Sequence, residues 1–493
     1  MLVFRQKYLI YLIGFGGGGL AGIGLSQGGV WFIYFSLALL WASKKSPLAG
    51  FLWGFSATLV SHFWLLSLHP LTWIGVSEIL SLPIALLIWV ACGCMGALLV
   101  WSWCLLGKLH FFDRAWESSL INQSLSMLAL SLIWGFGEVL LAKGSFFWFG
   151  LGGSLLPNNL WLAGLARWFG AGGLATIQLV IGWWIFRVFL SFNKGNSLIR
   201  IFSVGFAGLL LAHLVGGYLL GQNDSFSSKR IALWQTNIPI RKKFSSESIE
   251  KAPLSLKESL SRASESGADL MVAPEGTLLS DQDLLSPAPI PLLSGGFRWV
   301  QNHQRSSLLV FEKGSIEYSD SIDKHRLVPL GEWIPSIPFL PSSGLSLVGG
   351  LESGEGSRLL NWSSSPLAVA ICYEISDGKA LAKATADGAQ WILSIANLDP
   401  YPISLQRQFL ALAQLRSIEL GRELISVANT GPTALVLASG EIKSLVPPFQ
   451  EGLGITDINL SQKFSGYVLW GEYPLIIILL VNLVLIINLR TID

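Results

Sequence analysis

The sequence predicts two fold classes in one chain, a polytopic α-helical membrane domain of about eight spans and an α/β domain of roughly 240 residues outside the cytoplasm. Three observations predict it. Only 13% of the 493 residues are charged and the mean hydropathy is +0.55, which suits a membrane protein with a soluble portion. From Tyr8 to Gly221 nearly every segment is apolar, broken by short polar or Pro/Gly punctuation. From Asn223 charge rises abruptly, and short apolar runs alternate with helical patterns.

Spans are expected near residues 8–24, 27–43, 50–68, 82–106, 121–142, 170–192 and 201–221, with a last one near 471–489. Each is close to the ~20 residues that cross a ~30 Å hydrocarbon core. The 21 tryptophans suit aromatic belts at a bilayer interface. If the spans alternate, Arg5, Lys7, Lys44, Lys45, Lys108, Arg114, Arg187, Lys194, Arg200 and Arg490 share one side. Lys143 and Arg167 alone fall in short loops on the other. The positive-inside rule then places both termini in the cytoplasm and residues 222–466 outside it. No cleavable signal peptide is expected, because the first apolar segment leads straight into another. The expected domains are 1–222 in the membrane with about seven spans, 223–466 as an extracytoplasmic catalytic unit, and 467–493 as a closing span. Gly14, Gly16 to Gly19, Gly22 and Gly24 read as close helix packing, since no strand precedes them as a phosphate loop requires. Glu138 reads as a snorkelling charge or a helix-pinning pair with Lys143. Residues 146–168, rich in Phe, Trp and Gly, read as interfacial, bordering a lipid entry route.

In the soluble half, strands are expected at Ile231–Asn237, Asp269–Ala273, Leu308–Glu312, Leu367–Cys372 and Trp391–Ala396, with paired strands at Leu424–Asn429 and Ala434–Ala438. Helices are expected at Ser246–Gly267, broken at Pro253, at Ala380–Gly388, and as an amphipathic run at Leu405–Leu420. This alternation describes a sheet protein covered by helices, long enough for a core of its own.

The polar residues able to carry chemistry fall just after strands or in loops between them. Cys372 ends the apolar run Leu-Ala-Val-Ala-Ile, apart from Cys92, Cys94 and Cys104, which share one apolar segment. Glu275 follows Leu-Met-Val-Ala-Pro, Lys324 lies in Ile-Asp-Lys-His-Arg-Leu-Val-Pro, and Glu332 lies in Gly-Glu-Trp-Ile-Pro. Each alone is bland: a Glu after Pro suits a solvated turn, a Lys beside Asp a surface pair, a lone Cys an inert core. Together they supply a nucleophile, a base and a fixed cation, the set that attack on a carbonyl requires. Strand ends are where open α/β sheets place such clefts. A thiol is only a few per cent ionised at neutral pH, so Glu275 is expected to take its proton. Lys324 and the Tyr373 N–H are expected to stabilise the oxyanion, with Glu332 positioning Lys324. Six scattered histidines and no Cys/His cluster argue against a metal, and no cofactor is expected. A net charge of +2 without a basic stripe argues against nucleic acid.

The Glu, Lys, Cys order resembles the nitrilase superfamily, and seven spans, such a domain and a closing span resemble its membrane-embedded branch, the apolipoprotein N-acyltransferases. The resemblance covers nearly the whole chain. It is carried by Ala-Leu-Trp-Gln-Thr-Asn-Ile-Pro239, Ala-Pro-Glu-Gly276, Asp-Lys-His-Arg-Leu-Val-Pro-Leu-Gly-Glu-Trp-Ile-Pro335, Ile-Cys-Tyr-Glu374 and Arg-Ser-Ile-Glu-Leu-Gly-Arg-Glu-Leu424. It implies an αββα sandwich and transfer of an acyl chain from a membrane phospholipid, through a Cys372 thioester, to the amino group of a diacylglyceryl-modified apolipoprotein. It further implies a multi-pass protein of the bacterial inner (plasma) membrane, read here as a monomer because one chain holds every part. Tyr373, Glu374, Trp333 and Phe244 are expected to line the substrate site, and Trp333–Leu351 to form a lipid-facing loop. The chain departs from the family at Asn397-Leu-Asp-Pro-Tyr-Pro402, at Phe244, where a Trp is usual, at Ile322 and in a short Glu312–Lys324 stretch. The alternative reading is a membrane-tethered amidase or nitrilase acting on a small amide.

Overall fold

The computed structural model describes residues 2–74, 76–117, 119–192, 196–222, 224–239, 243, 245–329, 331–333, 350–362, 365–399 and 401–488. The amino-terminal region is helical: α1 (Leu2–Gln27), α2 (Val30–Ser43), α3 (Pro47–Ser61), α4 (Glu78–Leu106), α5 (His110–Glu117), α6 (Leu120–Leu141), α7 (Leu160–Ala163), α8 (Ala166–Leu190) and α9 (Asn196–Leu220). Among the described residues, five helices are long and apolar enough to cross a membrane, in α1, α4, α6, α8 and α9. The shorter apolar helices are α2, α3 and the carboxyl-terminal Tyr473–Asn488. Each expected span falls on one of these, but the third is shorter than expected. Its helix ends at Ser61 and continues as a 3-10 turn over Phe63–Leu68. The glycines of α1 serve close packing: a Cβ on Gly18 would lie 2.0 Å from the Trp53 carbonyl of α3.

The soluble half holds β1 (Ser227–Gln235), α10 (Ser246–Glu265), β2 (Leu270–Leu278), β3 (Leu292–Val300), β4 (His303–Phe311), β5 (Asp320–Asp323), β6 (Leu359–Leu360), β7 (Leu367–Ile371), α11 (Gly378–Ala386), β8 (Trp391–Ala396), α12 (Ile403–Leu420), β9 (Leu424–Ala428), β10 (Thr433–Val436), β11 (Ile442–Val446) and β12 (Gly452–Leu460). α13 (Gly466–Trp470) and α14 (Tyr473–Asn488) follow. The strands form two six-stranded sheets, β12-β1-β2-β3-β4-β5 and β11-β10-β9-β8-β7-β6. Alternation of side chains gives each sheet two apolar faces. Ile231, Leu233, Val272 and Leu308 meet Val369, Ile371, Leu393 and Val427 between the sheets. Trp234, Met271 and Phe311 pack outward under Leu256 and Leu260 of α10. Ala368, Ala370 and Ile392 face α11 and α12 on the other side. The result is an αββα sandwich.

Two expected elements differ. α10 runs through Pro253 without a break, because its apolar side, Leu256, Leu260 and Ala263, is buried against the first sheet. α12 is not amphipathic: it is buried on nearly all sides, with the second sheet beneath it and α8 and α1 above. The helices of the membrane half thus form a further layer, joined to the sandwich by side chains that cap helix ends. Gln408 of α12 donates to the carbonyls of Leu25 (3.1 Å) in α1 and Ser61 (3.2 Å) in α3, and accepts from Trp148 Nε1 at 2.9 Å. Glu419 accepts from Ala171 N (2.6 Å), where α8 restarts after a kink at Gly170. Arg167 donates to the carbonyls of Leu219 in the last turn of α9, of Gln222 just beyond it, and of Ala438. Glu138 is pinned, though not by Lys143, which is exposed: it accepts from Trp134 Nε1 (2.9 Å), Leu151 N (2.9 Å) and Gly152 N (3.1 Å). Residues 146–168 turn inward, with Trp148, Phe149, Leu151, Leu155 and Leu156 buried while Phe146, Trp161 and Trp168 stay exposed.

Replacing Gln408 by Leu strands two helix-end carbonyls and an indole N–H in a dry interface, each such group costing about 1–3 kcal/mol. Its thermal midpoint in detergent micelles, followed by tryptophan fluorescence, is expected to fall by several degrees. An unchanged midpoint would show that these contacts do not hold the layers together.

Candidate active site

Three strand ends and one loop bring the expected polar residues together at one edge of the sandwich. β2 pairs with β3 through Ala273 and resumes at Leu278, and the irregular step between them presents Glu275. This bulge needs Gly295 opposite it, where a Cβ would lie 2.4 Å from the Glu275 Cα. Lys324 follows β5, its N–H donating to the Ser306 carbonyl of β4 at 2.8 Å. Its ammonium is fully buried and donates to Glu275 Oε1 at 2.8 Å and Glu332 Oε1 at 2.7 Å. The second Glu275 oxygen accepts from Asn397 N at 2.9 Å, and the second Glu332 oxygen from Val328 N at 2.9 Å.

Cys372 follows β7 and opens a 3-10 turn, with φ +53°. A non-glycine residue in that left-handed region is strained and persists only where its surroundings fix it. Glu374 fixes it. One carboxylate oxygen accepts from Ile371 N (2.8 Å), the other from the N–H groups of His325 (2.7 Å) and Arg326 (3.2 Å), and Arg358 Nη1 lies 2.8 Å from both. Glu374 is therefore saturated by the protein and braces the thiol turn against the Lys324 loop. The Tyr373 hydroxyl is also spoken for, donating to the carbonyls of Ser145 (3.0 Å) and Phe147 (2.8 Å), while its ring stacks on Trp148. Trp333 lies beside the site and is 41% exposed. Phe244 and residues 334–349 of the expected lipid-facing loop lie outside the described residues.

The electrostatics follow from burying three charges together. Burial alone would lower the Lys324 pKa, but Glu275, Glu332 and the Cys372 thiol outweigh it and hold the ammonium well above its ordinary value. Burial raises Glu332, and Lys324 only partly offsets this. The Cys372 thiol is raised by burial and by Glu275 and Glu332, against the opposing pull of Lys324. The thiol is thus protonated at rest and needs a base at the moment of attack. Asp323, next to Lys324, is gripped by Arg298 (2.7 Å), Arg305 (3.1 Å) and Ser307 (2.7 Å), which outweigh burial and hold its pKa below the usual carboxylate value.

Several further residues at the site were given no role from the sequence. Asn397 follows a strand, so the strand-end rule that picked out Cys372 would also have found it. Tyr401 sits among the same charges, its ring edge-on to Trp64 of the Phe63–Leu68 turn at 5.3 Å. Lys243, whose pKa burial lowers to about 8 against Glu275 and Asp399, donates to the Glu275 carbonyl at 3.4 Å. Among the described residues no group of His, Cys, Asp and Glu is arranged to hold a metal.

A carbon-nitrogen hydrolase family model matches residues 298–463. The chain is 62% identical over 486 residues to an apolipoprotein N-acyltransferase from one strain of Prochlorococcus marinus, covering 99% of this chain and 98% of that protein. It is 54% identical to the enzyme of the same name from a second strain, covering 96% and 95%. Among solved structures it is similar to a nitrilase-superfamily amidase from Nesterenkonia, at 18% identity and a TM-score of 0.36, over 50% of this chain and 96% of that one.

The charge arrangement fixes the sign of a measurable shift. Glu332→Gln removes a charge that raises the thiol pKa, so Cys372 should alkylate faster with iodoacetamide at a given pH. Lys324→Met removes the charge that lowers it and should alkylate more slowly. In both variants, as in the parent, the rate should climb with rising pH as thiolate forms. Quantifying the alkylated Cys372 peptide across pH checks this, and identical profiles for all three proteins would refute the arrangement.

Proposed function

The chain belongs to the apolipoprotein N-acyltransferase family, and on that premise we propose how its site works. The protein is a membrane-bound acyltransferase acting on lipoproteins. Cys372 is the nucleophile, Glu275 the general base and acid, Lys324 the oxyanion cation, and Glu332 the carboxylate that holds Lys324 in place. In the first half-reaction the thiol attacks an ester carbonyl of a membrane phospholipid while Glu275 takes its proton. Lys324 and the Tyr373 N–H stabilise the tetrahedral oxyanion, and one such donor is typically worth roughly 3–4 kcal/mol. The alkoxide leaves as a lysophospholipid carrying the proton from Glu275, and the acyl chain remains on sulfur as a thioester. In the second half the amino group of a diacylglyceryl-modified apolipoprotein attacks the thioester. Glu275 receives the amine proton and returns it to the departing thiolate, so the enzyme ends as it began.

The observation that carries this reading is the Lys324 ammonium, fully buried between Glu275 and Glu332 beside a thiol on a left-handed turn. The raised thiol pKa supports base-assisted attack over a standing thiolate. Charge asymmetry of the short loops supports a topology with both termini in the cytoplasm and residues 223–466 on the extracytoplasmic face, between a 1–222 membrane domain and a 467–493 closing span. Tyr373 and Glu374 act by positioning the thiol turn, and Trp333 stands exposed where a lipid chain would pass. One chain supplies every group, which supports a monomer. A small-amide hydrolase has no need of a thiol turn bonded to a loop between membrane-half helices, and that reading is the weaker one.

Intact-mass spectrometry after incubation with phospholipid and no acceptor tests the first half. The parent should gain one acyl mass that hydroxylamine removes, and Cys372→Ala should gain none. Glu275→Gln should acylate about 10²- to 10⁴-fold more slowly. A lipidated peptide with a free amino terminus should discharge the adduct. Absence of any adduct on folded parent protein would remove the phospholipid donor from the scheme.

A further inference from the structure

We infer that Arg326 is a positioning residue for acyl transfer, locking the Lys324 loop and the Cys372 turn to the carboxyl end of α6. The site's geometry is then set by a membrane-half helix as well as by the sandwich. The inference rests on the reading of Cys372 and Lys324 as reacting groups.

Arg326 lies two residues after Lys324 and is buried. Its Nη1 donates to the carbonyl of Ala142 (2.6 Å) and to Ser376 Oγ (3.0 Å). Its Nη2 donates to the carbonyls of Gly144 and Phe147, the latter at 3.2 Å. Ala142 is the residue that ends α6, so the guanidinium meets exposed helix-end carbonyls and the negative pole of the helix dipole. Its carbon lies 4.5 Å from the centre of the Tyr373 ring, and Tyr373 bonds the same 145–147 turn. Ser376 and Tyr373 belong to the turn that Cys372 opens. One planar group therefore touches the end of α6, the turn beyond it and the thiol turn, while its own backbone continues from Lys324. Lysine cannot reproduce that pattern, since a single ammonium has no fixed fork.

Docking of the layers does not rest on Arg326 alone. Gln408, Glu419 and Arg167 each join the sandwich to other helix ends, and Glu138 holds the 151–152 turn within the membrane half. What Arg326 adds, among these residues, is a direct tie between the α6 end and both sides of the reacting pair. Displacing reacting groups by about 1 Å can cost 10²-fold in rate, so its loss should appear in chemistry before stability.

The test uses full-length Arg326→Gln and Arg326→Lys in micelles containing phosphatidylglycerol, with single-turnover acylation read by intact mass. For Arg326→Gln the maximal acylation rate should fall about 10- to 100-fold while half-saturation by lipid stays within about twofold. Arg326→Lys should fall between it and the parent. Alkylation of Cys372 by iodoacetamide should move to higher pH in Arg326→Gln, because Lys324 no longer sits squarely beside the thiol. Parent-like maximal rates in Arg326→Gln would overturn the inference, as would a rise in half-saturation with the maximal rate intact. Should Arg326→Gln fail to fold, a parent-like rate in Arg326→Lys overturns it equally. If the parent itself forms no adduct, the reading of the site fails instead, and an unshifted alkylation profile then decides against Arg326 on its own.

Discussion

The site depends on one buried ammonium. Moving an ion like that of Lys324 out of water costs several kcal/mol even after the protein relaxes, so it stays charged inside a protein only where opposite charge meets it. Here two carboxylates meet it, with the thiol beside them. Burial, with the neighbouring carboxylates adding to it, pushes Glu332 and Cys372 toward their neutral forms. The Glu275 carboxyl is held in place by Lys324 and the Asn397 N–H. Glu275 and Lys324 come from one sheet, Cys372 from the other, and Glu332 from the loop that follows Lys324. Neither sheet alone assembles the cluster, and the apolar interface between them is what holds it at hydrogen-bond distance.

The second constraint is how a globular sandwich is seated on a helical bundle. Each helix end leaves carbonyl or N–H groups without partners, and in a dry interface each must be satisfied. The sandwich satisfies them with polar side chains, Gln408 for α1 and α3, Arg326 for α6 and Glu419 for the restart of α8, while Arg167 of α8 serves α9 from within the membrane half. Donors meet carboxyl ends and a carboxylate meets an amino end, as the helix dipole favours. The buried polar residues of α12 are met the same way, Gln408 by helix-end carbonyls, Gln406 and Gln414 by Thr430 and the Gly440 carbonyl within the sandwich, and Arg416 by Glu419.

Much of this was legible in the sequence, and the rest was hidden for identifiable reasons. Long apolar segments announce helices, and buried strands announce themselves as short apolar runs, so the membrane half, β1, β2, the apolar second half of β4, β7, β8, β9 and β10 were readable. β3 was not, because Gly295 and Gly296 interrupt its pattern, and those glycines are there to let the Glu275 bulge approach. β5, β6, β11 and β12 are edge or near-edge strands with mixed polarity, and period-two alternation fades there. Glu275, Lys324, Glu332 and Cys372 were readable as a set because they follow strands or neighbour one another in a single loop. Their supports were not. Arg358 and Asp323 act through contacts distant in sequence, and nothing local marks an arginine that will end up against a carboxylate in a different strand turn. Glu374 was readable as polar and near the thiol, but its saturation by four donors appears only once the chain is folded.

The strained turn at Cys372 ties these lines together. A left-handed non-glycine residue costs on the order of 1–3 kcal/mol, so the turn would relax if its surroundings allowed. Glu374 resists that by holding Ile371 on one side and His325 with Arg326 on the other, and Arg358 fixes Glu374 in turn. Relaxing the turn would therefore require stranding a buried carboxylate and a buried guanidinium, each more costly than the strain. Tyr373 adds a third restraint from outside the sandwich. The position of the thiol is thus over-determined by a carboxylate within its own sheet, a loop from the other sheet and a turn of the membrane half. With the turn held from three directions, the Cys372 sulfur has little freedom to move.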